Sequence, residues 1–142
     1  MSMLLEIESL LKEVDDEFIP SLSSLVNLAE YSQKLHKNAT IFSNHDRGKL
    51  VALLAVYRTD TVNKVAYCPM LAVAKTHRSY GLGASLVRSA IELLKKTEFR
   101  IFRLEVYKTN LGVLAFYKKL GFSIESETES SVFLELNLDQ NS

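Results

Sequence analysis

The strongest constraint on the fold is the glycine segment, Arg78-Ser79-Tyr80-Gly81-Leu82-Gly83-Ala84. Before it, the apolar run Met70 to Ala74 predicts a strand, and after it the apolar spacing from about Leu82 to Lys96 predicts a helix. Two glycines at such a junction let bare backbone approach a ligand, and the first N–H groups of the helix point outward. The segment therefore predicts a site for phosphate or pyrophosphate.

Neither of two common phosphate-binding fingerprints is present in this segment. A dinucleotide-binding loop needs a third small residue where Leu86 stands, and a P-loop needs Lys followed by Ser or Thr after its second glycine. A nucleotide-binding α/β protein is therefore disfavoured. A purely packing role for Gly81 and Gly83 stays open.

The rest of the chain predicts an α+β fold with a mixed, mostly antiparallel sheet. Helical spacing predicts two front helices, Met3 to Val14 and about Leu28 to Lys37. Because Pro69 has no N–H for the sheet ladder, it predicts a bulge or splay in mid-strand. The remaining predicted elements are strands at 39–43, 49–58, 64–74, 101–107, 122–125 and 131–138, a turn at 44–48 and a helix at about 111–120.

Composition limits the size and the partners of the protein. A chain of 142 residues that is 47% hydrophobic suits one domain over residues 1–142. Its formal net charge of zero argues against nucleic acid or a membrane surface as partner and favours a small molecule. The chain has a single cysteine, Cys68, no long apolar run and no basic leader. We therefore expect a cytoplasmic protein. No metal is expected, because the histidines lack ligand spacing.

A second block of residues makes the glycine segment more specific. Asn110 follows the predicted strand residues Leu104-Glu105-Val106 and precedes Tyr117 by seven residues, and the chain then reads Leu-Gly-Phe up to Phe122. The two blocks together resemble the coenzyme A loop and the closing motif of the GNAT superfamily of acyl-CoA-dependent N-acyltransferases. The resemblance covers roughly Thr40 to Phe122.

This resemblance implies a GNAT fold, with helices on both faces of a sheet that is splayed at its middle strand. It implies a helical substrate-side front (1–38), an acyl-CoA-binding core (39–122) and C-terminal strands (123–142), all in one domain. Acetyl-CoA is the implied co-substrate. Its implied binding residues are Leu71, Ala72, Val73, Arg78, Ser79, Tyr80, Gly81, Leu82, Gly83, Ala84, Asn110 and Tyr117.

Tyr117 and Glu105 are the candidate catalytic residues. A phenol, with a usual pKa of about 10, keeps its proton at neutral pH and can give it to a departing thiolate, whose usual pKa is about 8.5. Glu105 precedes Tyr117 by twelve residues, as in superfamily members that modify protein N-termini, and is the candidate base. A merely solvated Glu105 is an equal alternative, in which the proton leaves through water or through Tyr67.

Structural roles also remain open for three of these residues. Arg78 either contacts a phosphate or pairs with an acidic neighbour. Asn110 contacts the cofactor, caps the following helix, or does both. The ring of Tyr117 either supplies a proton or only packs under its helix.

The sequence as a whole predicts an N-acetyltransferase in which an amine attacks acetyl-CoA directly in a ternary complex. The acceptor is a small-molecule amine, such as an amino sugar, or a peptide amine, such as a protein N-terminus. The alternative is a non-catalytic acyl-CoA-binding sensor or scaffold. Formation of a homodimer also stays an alternative. The C-terminal strand suits pairing with a second copy, because it contains the apolar residues Val132, Phe133, Leu134 and Leu136.

Overall fold

The structure, a computed structural model, describes residues 2–139, so Met1 and residues 140–142 of the predicted domain lie outside the described residues. The helices are α1 (Met3–Val14), α2 (Leu22–Leu25), α3 (Leu28–Asn38), α4 (Leu82–Lys96) and α5 (Leu111–Lys119). The strands are β1 (Thr40–Asp46), β2 (Lys49–Asp60), β3 (Val65–Val73), β4 (Ile101–Tyr107), β5 (Ser123–Glu127) and β6 (Ser131–Asn137). Asp15–Glu17 and Lys75–Tyr80 are 3₁₀ segments.

The strands form a six-stranded sheet in the order β1-β2-β3-β4-β6-β5. The pairs β1–β2, β4–β6 and β5–β6 are antiparallel, whereas β3–β4 is parallel. The parallel register runs from Val65↔Ile101 to Tyr67↔Arg103, so it ends two residues before Pro69. The predicted α+β class is confirmed, and the register ends next to the predicted interruption.

The chain divides into two compact units, each with buried apolar side chains of its own. Unit 1 is Met1–Val56 with Met70–Ser89, and unit 2 is Tyr57–Pro69 with Ala90–Ser142. The largest fully buried side chains of unit 1 include Ile7, Leu10, Leu11, Leu35, Leu53 and Leu54. Those of unit 2 include Phe102, Leu94 and Leu134.

The front helices form where their caps and apolar spacing predict them. In α1 the buried residues Ile7, Leu10, Leu11 and Val14 share one face. The side chain of Asn27 accepts a hydrogen bond from the backbone N–H of Glu30 at 3.0 Å, which fixes the start of α3.

The structure differs from the sequence prediction at three places. Residues 22–25 form the short helix α2, and Lys75–Tyr80 forms a 3₁₀ segment, where only irregular chain was predicted. The predicted five-residue turn is shorter, because β1 continues to Asp46. Polar residues stay in β1 because they have partners: the His45 ring bonds to the Glu6 carboxylate at 2.9 Å.

Residues 117–122 end α5 in a Schellman motif. The N–H of Phe122 donates to the carbonyl of Tyr117 at 3.1 Å, and the N–H of Gly121 donates to that of Lys118 at 3.0 Å. Gly121 has φ +105°, a backbone conformation that side chains with a Cβ rarely adopt. The rings of Tyr117 and Phe122 make the apolar contact of this motif, with centroids 5.4 Å apart. The Leu-Gly-Phe sequence therefore specifies a helix end.

Substitution of this glycine gives a test of the motif. Gly121→Ala is expected to lower the free energy of unfolding by more than about 1 kcal/mol, because the backbone is strained and the new Cβ meets Leu136 Cδ1 at 3.3 Å. Gly112→Ala, in α5 with nothing within 4 Å of the new Cβ, is expected to raise it by about 0.5 kcal/mol. Urea unfolding of both variants measures the difference. Effects of the same sign would contradict this account.

Candidate functional site

The glycine segment in unit 1 has the geometry of an anion cradle. Gly81 has φ +70° and ψ +21°, in the left-handed region, and a Cβ at this position would meet nothing within 4 Å. Helix α4 begins directly afterwards, at Leu82, and Ser85 N–H donates to the Gly81 carbonyl at 3.1 Å. The N–H groups of residues 82–84 belong to the helix N-terminus, where donors point out of the helix end. This end attracts negative charge.

Arg78 has an acidic partner in unit 1. Its Nε and Nη2 donate to the carbonyl oxygen of Val73 at 3.2 and 3.0 Å. Nη2 also forms an ion pair with Oε1 of Glu17. One of the two alternatives for Arg78 is therefore observed, while the phosphate contact stays a prediction. Nothing near Arg78 in the sequence indicated Glu17, which comes 61 residues earlier.

Two further polar contacts hold the 3₁₀ segment next to the glycines. Lys75 Nζ lies 3.0 Å from Asp16 Oδ1, and a hydrogen bond and the charge of Lys75 lower the pKa of Asp16. His77 Nε2 lies 2.8 Å from Asp46 Oδ2. Such exposed pairs contribute little individually, and both lie in the first half of the segment.

The end of β3 supplies the predicted backbone partners of the cofactor. Ala72 is buried, whereas Leu71 and Val73 are half-buried. This alternation is that of a regular strand. Directly after β3, the N–H of Ala74 donates to the carbonyl of Val51 at 2.7 Å. The part of β3 after Pro69 is thus held in unit 1, and the role of its amides stays a prediction.

Tyr117 is deeply buried in unit 2, with 5% of its surface exposed. Its ring packs edge-on against Phe116 at 5.0 Å and Phe122 at 5.4 Å between centroids. Burial raises the pKa of Tyr117 well above its usual value, and the charge and hydrogen bond of Cys68 raise it further. The phenol therefore keeps its proton. In the sequence, Cys68 is noted only as the single cysteine, and no local pattern links it to Tyr117, which comes 49 residues later.

Asn110 caps helix α5, which is one of the two roles that the sequence predicts for it. Its Oδ1 accepts from the N–H of Val113 at 3.4 Å, at the first turn of α5. Because this cap starts α5, it helps to set the position of Tyr117. Contact of Asn110 with a cofactor stays a prediction.

Glu105 lies on the exposed face of β4 and is held by a buried serine. Ser131 Oγ donates to Glu105 Oε2 at 2.5 Å, although only 1% of Ser131 is exposed. Thr128 Oγ1 lies 3.0 Å from Ser131 Oγ, so the turn between β5 and β6 orients the carboxylate. Tyr67 pairs with Arg103, two residues before Glu105 on β4. Burial raises the pKa of Tyr67, and the charge of Glu105 raises it further. Sequence analysis missed Ser131.

The two candidate catalytic residues lie on opposite faces of the sheet. Successive residues of β4 alternate between buried and exposed, with Phe102 buried and Glu105 exposed. Tyr117 is on the buried face, because its neighbour Phe122 packs against Phe102 at 5.6 Å. Within the described residues, the structure brings Tyr117 to Cys68 and Glu105 to Ser131. It shows no contact between Tyr117 and Glu105.

Two properties of the described residues concern metals and membranes. Among residues 2–139, no group of three or more His, Cys, Asp or Glu side chains is arranged to hold a metal ion. Within the same part of the chain, every helix is too short or too polar to cross a membrane.

Comparisons with known sequences agree on one family. The model of the acetyltransferase (GNAT) family matches residues 6–122. The uncharacterized N-acetyltransferase YobR of Bacillus subtilis is 28% identical over 117 residues, which are 75% of this chain and 46% of that protein. N-alpha-acetyltransferase 30 of Schizosaccharomyces pombe is 28% identical over 75 residues, 53% of this chain and 49% of that protein. The chain thus spans about half the length of these relatives.

Solved structures share the fold. The ribosomal-protein-S18-alanine N-acetyltransferase of Escherichia coli has a TM-score of 0.78 at 18% identity, with 100% of this chain and 93% of that chain covered. The PaiA N-acetyltransferase of Thermoplasma acidophilum, in complex with coenzyme A, has a TM-score of 0.74 at 15% identity, with 94% of each chain covered. At these identities the likeness shows the fold alone.

Because Tyr117 is buried, we expect it to lose its proton at a higher pH than the other tyrosines during an alkaline titration. Of the six tyrosines, Tyr117 is expected to ionise last when absorbance near 295 nm is followed with rising pH. Tyr117→Phe removes this last component. Tyr107→Phe, a control at a tyrosine that is 39% exposed, is expected to leave this last component in place. A folded protein whose last component persists in Tyr117→Phe would contradict the assignment.

The same shift predicts a loss of stability at high pH. The pKa of Tyr117 is raised in the folded protein above the unfolded value of about 10. The contribution of Tyr117 to the free energy of unfolding is therefore complete below pH 10. It is lost as the pH rises towards the pKa that Tyr117 has in the folded protein. Urea unfolding between pH 9 and pH 11 is expected to show a steeper fall for the native chain than for Tyr117→Phe.

Proposed function

This chain belongs to the acetyltransferase (GNAT) family, and we propose that it moves the acetyl group of acetyl-CoA to a primary amine. The proposal rests mainly on the glycine segment. Gly81 has a left-handed backbone conformation and lies directly before the N-terminus of α4. The open space at the Gly81 Cβ position fits close approach of a phosphorylated group. Acetyl-CoA, when bound, supplies a thioester carbonyl that an amine can attack.

In this proposal the pyrophosphate is held by backbone N–H groups at the start of α4 and by the preceding residues Arg78, Ser79 and Tyr80. A helix N-terminus with freely pointing N–H groups is well suited to pyrophosphate. Arg78 then exchanges the carboxylate of Glu17 for a phosphate oxygen. The backbone amides of Leu71 to Val73, and Asn110, take the rest of the cofactor.

The acetyl group moves in a single transfer without an acyl-enzyme. The amine nitrogen forms a bond to the thioester carbon, the carbon–sulfur bond breaks, and the amine loses a proton. Tyr117 donates a proton to the departing sulfur, a role supported by a phenol that burial keeps neutral. Ser131 orients the carboxylate of Glu105, the candidate acceptor of the amine proton. Because Glu105 and Tyr117 lie on opposite faces of the sheet, that proton reaches Glu105 through water or through Tyr67. In the alternative, the proton leaves by water or Tyr67 without Glu105.

The acceptor is a small-molecule amine or a peptide amine. Two similar proteins have names that point to protein N-termini: N-alpha-acetyltransferase 30 and the ribosomal-protein-S18-alanine N-acetyltransferase. Short peptides with a free N-terminus therefore belong in an acceptor screen beside amino sugars and simple amines. We propose that the protein works in the cytoplasm, a reducing compartment that suits a chain with a single cysteine.

An activity assay tests the proposal. The protein is expected to release free thiol from acetyl-CoA with at least one member of an amine and peptide panel. Tyr117→Phe is expected to lower kcat by about 10²-fold or more, the usual contribution of a general acid. The control Tyr107→Phe is expected to stay within about twofold of the native chain, since it removes one exposed hydroxyl. Tight acetyl-CoA binding without thiol release across the panel would instead favour a sensor.

A binding experiment tests the role of Arg78. Arg78→Ala is expected to weaken coenzyme A binding about tenfold, because a hydrogen bond to a charged group contributes about 1.5–3 kcal/mol. Glu17→Gln is expected to tighten it, because this variant removes the carboxylate that competes for Arg78. Calorimetry with coenzyme A measures both. Equal weakening in the two variants would mean that the ion pair is only structural.

A further inference from the structure

Arg88 is an exposed cation in unit 1, on the helix α4 that begins next to the glycine segment. Within residues 2–139, its guanidinium makes no ion pair and no side-chain hydrogen bond. Lys75 and Arg78, in contrast, are both paired with carboxylates. These two cations must give up a carboxylate before they can bind another anion. Arg88 can bind an anion at no such cost.

The chain on both sides of Arg88 leaves its charge available. No Asp or Glu occurs between residues 61 and 91. The next acid along the helix is Glu92, one turn towards the C-terminal end, and its carboxylate lies 3.5 Å from Nζ of Lys96. The segment that joins the glycines to Arg88 is therefore free of negative side chains.

Helical spacing places Arg88 on the face of α4 that continues from the glycine segment. Residues three and four positions apart share one face of a helix, so Arg88 lies on the face of Ala84 and Ser85. The N–H of Ser85 donates to the Gly81 carbonyl at 3.1 Å, so the helical ladder starts at Gly81, two turns before Arg88. Ser85 is exposed, whereas Val87 is buried on another face. The guanidinium and the anion cradle are thus on one exposed side of the helix.

The side chain of Arg88 is suited to span the distance to the first turn of α4. Side chains of an α-helix tilt towards its N-terminus, and one turn is about 5.4 Å long. Ala84 and Ser85 have small side chains, which leave the path along this face open. A guanidinium here lies beside the N–H groups of residues 82–84, not at the helix end itself. It therefore suits a second anionic group next to the one that those N–H groups bind.

Coenzyme A carries such a second group. Besides its pyrophosphate, it has a phosphate monoester on the ribose, a group with a charge of about −1.5 to −2 at pH 7. The planar guanidinium of arginine binds phosphate oxygens through two parallel hydrogen bonds. We propose that Arg88 binds the ribose phosphate of coenzyme A, while the backbone at the start of α4 binds the pyrophosphate. The proposal rests on the proposed acetyl-CoA site at the glycine segment.

This role makes Arg88 the residue that distinguishes coenzyme A from dephospho-coenzyme A, the same molecule without the ribose phosphate. The native chain is expected to bind coenzyme A about tenfold more tightly, the contribution of a hydrogen bond to a charged group. Because Arg88 is exposed, salt screens its charge. Raising the salt concentration is therefore expected to narrow the difference between the two ligands.

Calorimetry with both ligands tests the proposal on the native chain and two variants. Arg88→Ala is expected to weaken coenzyme A binding about tenfold and to change dephospho-coenzyme A binding by less than about twofold. The control Lys95→Ala removes an exposed cation from the last turn of the same helix, and is expected to leave both affinities within about twofold. Urea unfolding checks that each variant is folded.

Comparing the two ligands across the variants isolates the contact between Arg88 and the phosphate. Removing both groups together is expected to weaken binding no more than removing either one. Equal weakening of both ligands by Arg88→Ala would overturn the proposal, and so would unchanged coenzyme A binding in this variant. Equal binding of the two ligands by the native chain would overturn it as well, and leaves the proposed acetyl transfer standing. A native chain that binds neither ligand would overturn the proposed cofactor site, and this contact with it.

Discussion

The proline inside β3 is the constraint that divides this strand between the two units. A proline has no N–H to give to a neighbouring strand, and the parallel register of β3 with β4 ends at Tyr67, just before Pro69. The division of the chain falls at the same place, between Pro69 and Met70. One strand therefore supplies Cys68 to the unit that holds Tyr117, and Leu71 to Val73 to the unit that holds the glycine segment.

The features that fold α5 are also the features that place Tyr117. Asn110 caps the start of the helix, and Gly121 allows the left-handed turn that ends it. The ring of Phe122 then covers Tyr117 and contacts Phe102 on β4. Local backbone chemistry thus carries the phenol into an apolar environment, and this environment raises its pKa. Stability and the proposed catalysis draw on the same contacts.

Local patterns predicted most elements of the fold but few of the contacts at the candidate site. The strong amphipathic pattern of α4 and the alternation of β4 set bounds that the structure reproduces, Leu82–Lys96 and Ile101–Tyr107. The pairs Glu17–Arg78, Cys68–Tyr117 and Ser131–Glu105 join residues 26 to 61 positions apart in the chain. No local pattern records such partners, since they meet only when strands and helices pack. The turn predicted at 44–48 is shorter in the structure for the same reason, because His45 and Asp46 find distant partners in Glu6 and His77.

Charge pairing decides which groups can hold an anionic cofactor. In unit 1 the cations nearest the glycine segment, Lys75 and Arg78, already face Asp16 and Glu17, and the chain as a whole has no net charge. An anion must therefore displace a carboxylate to reach either side chain, and its gain is reduced by that loss. The backbone N–H groups at the start of α4 face no such competition in their own helix, because the first donors of a helix have no carbonyl to bond. In the proposed complex with acetyl-CoA, the backbone rather than the basic side chains is therefore expected to contribute most of the pyrophosphate affinity.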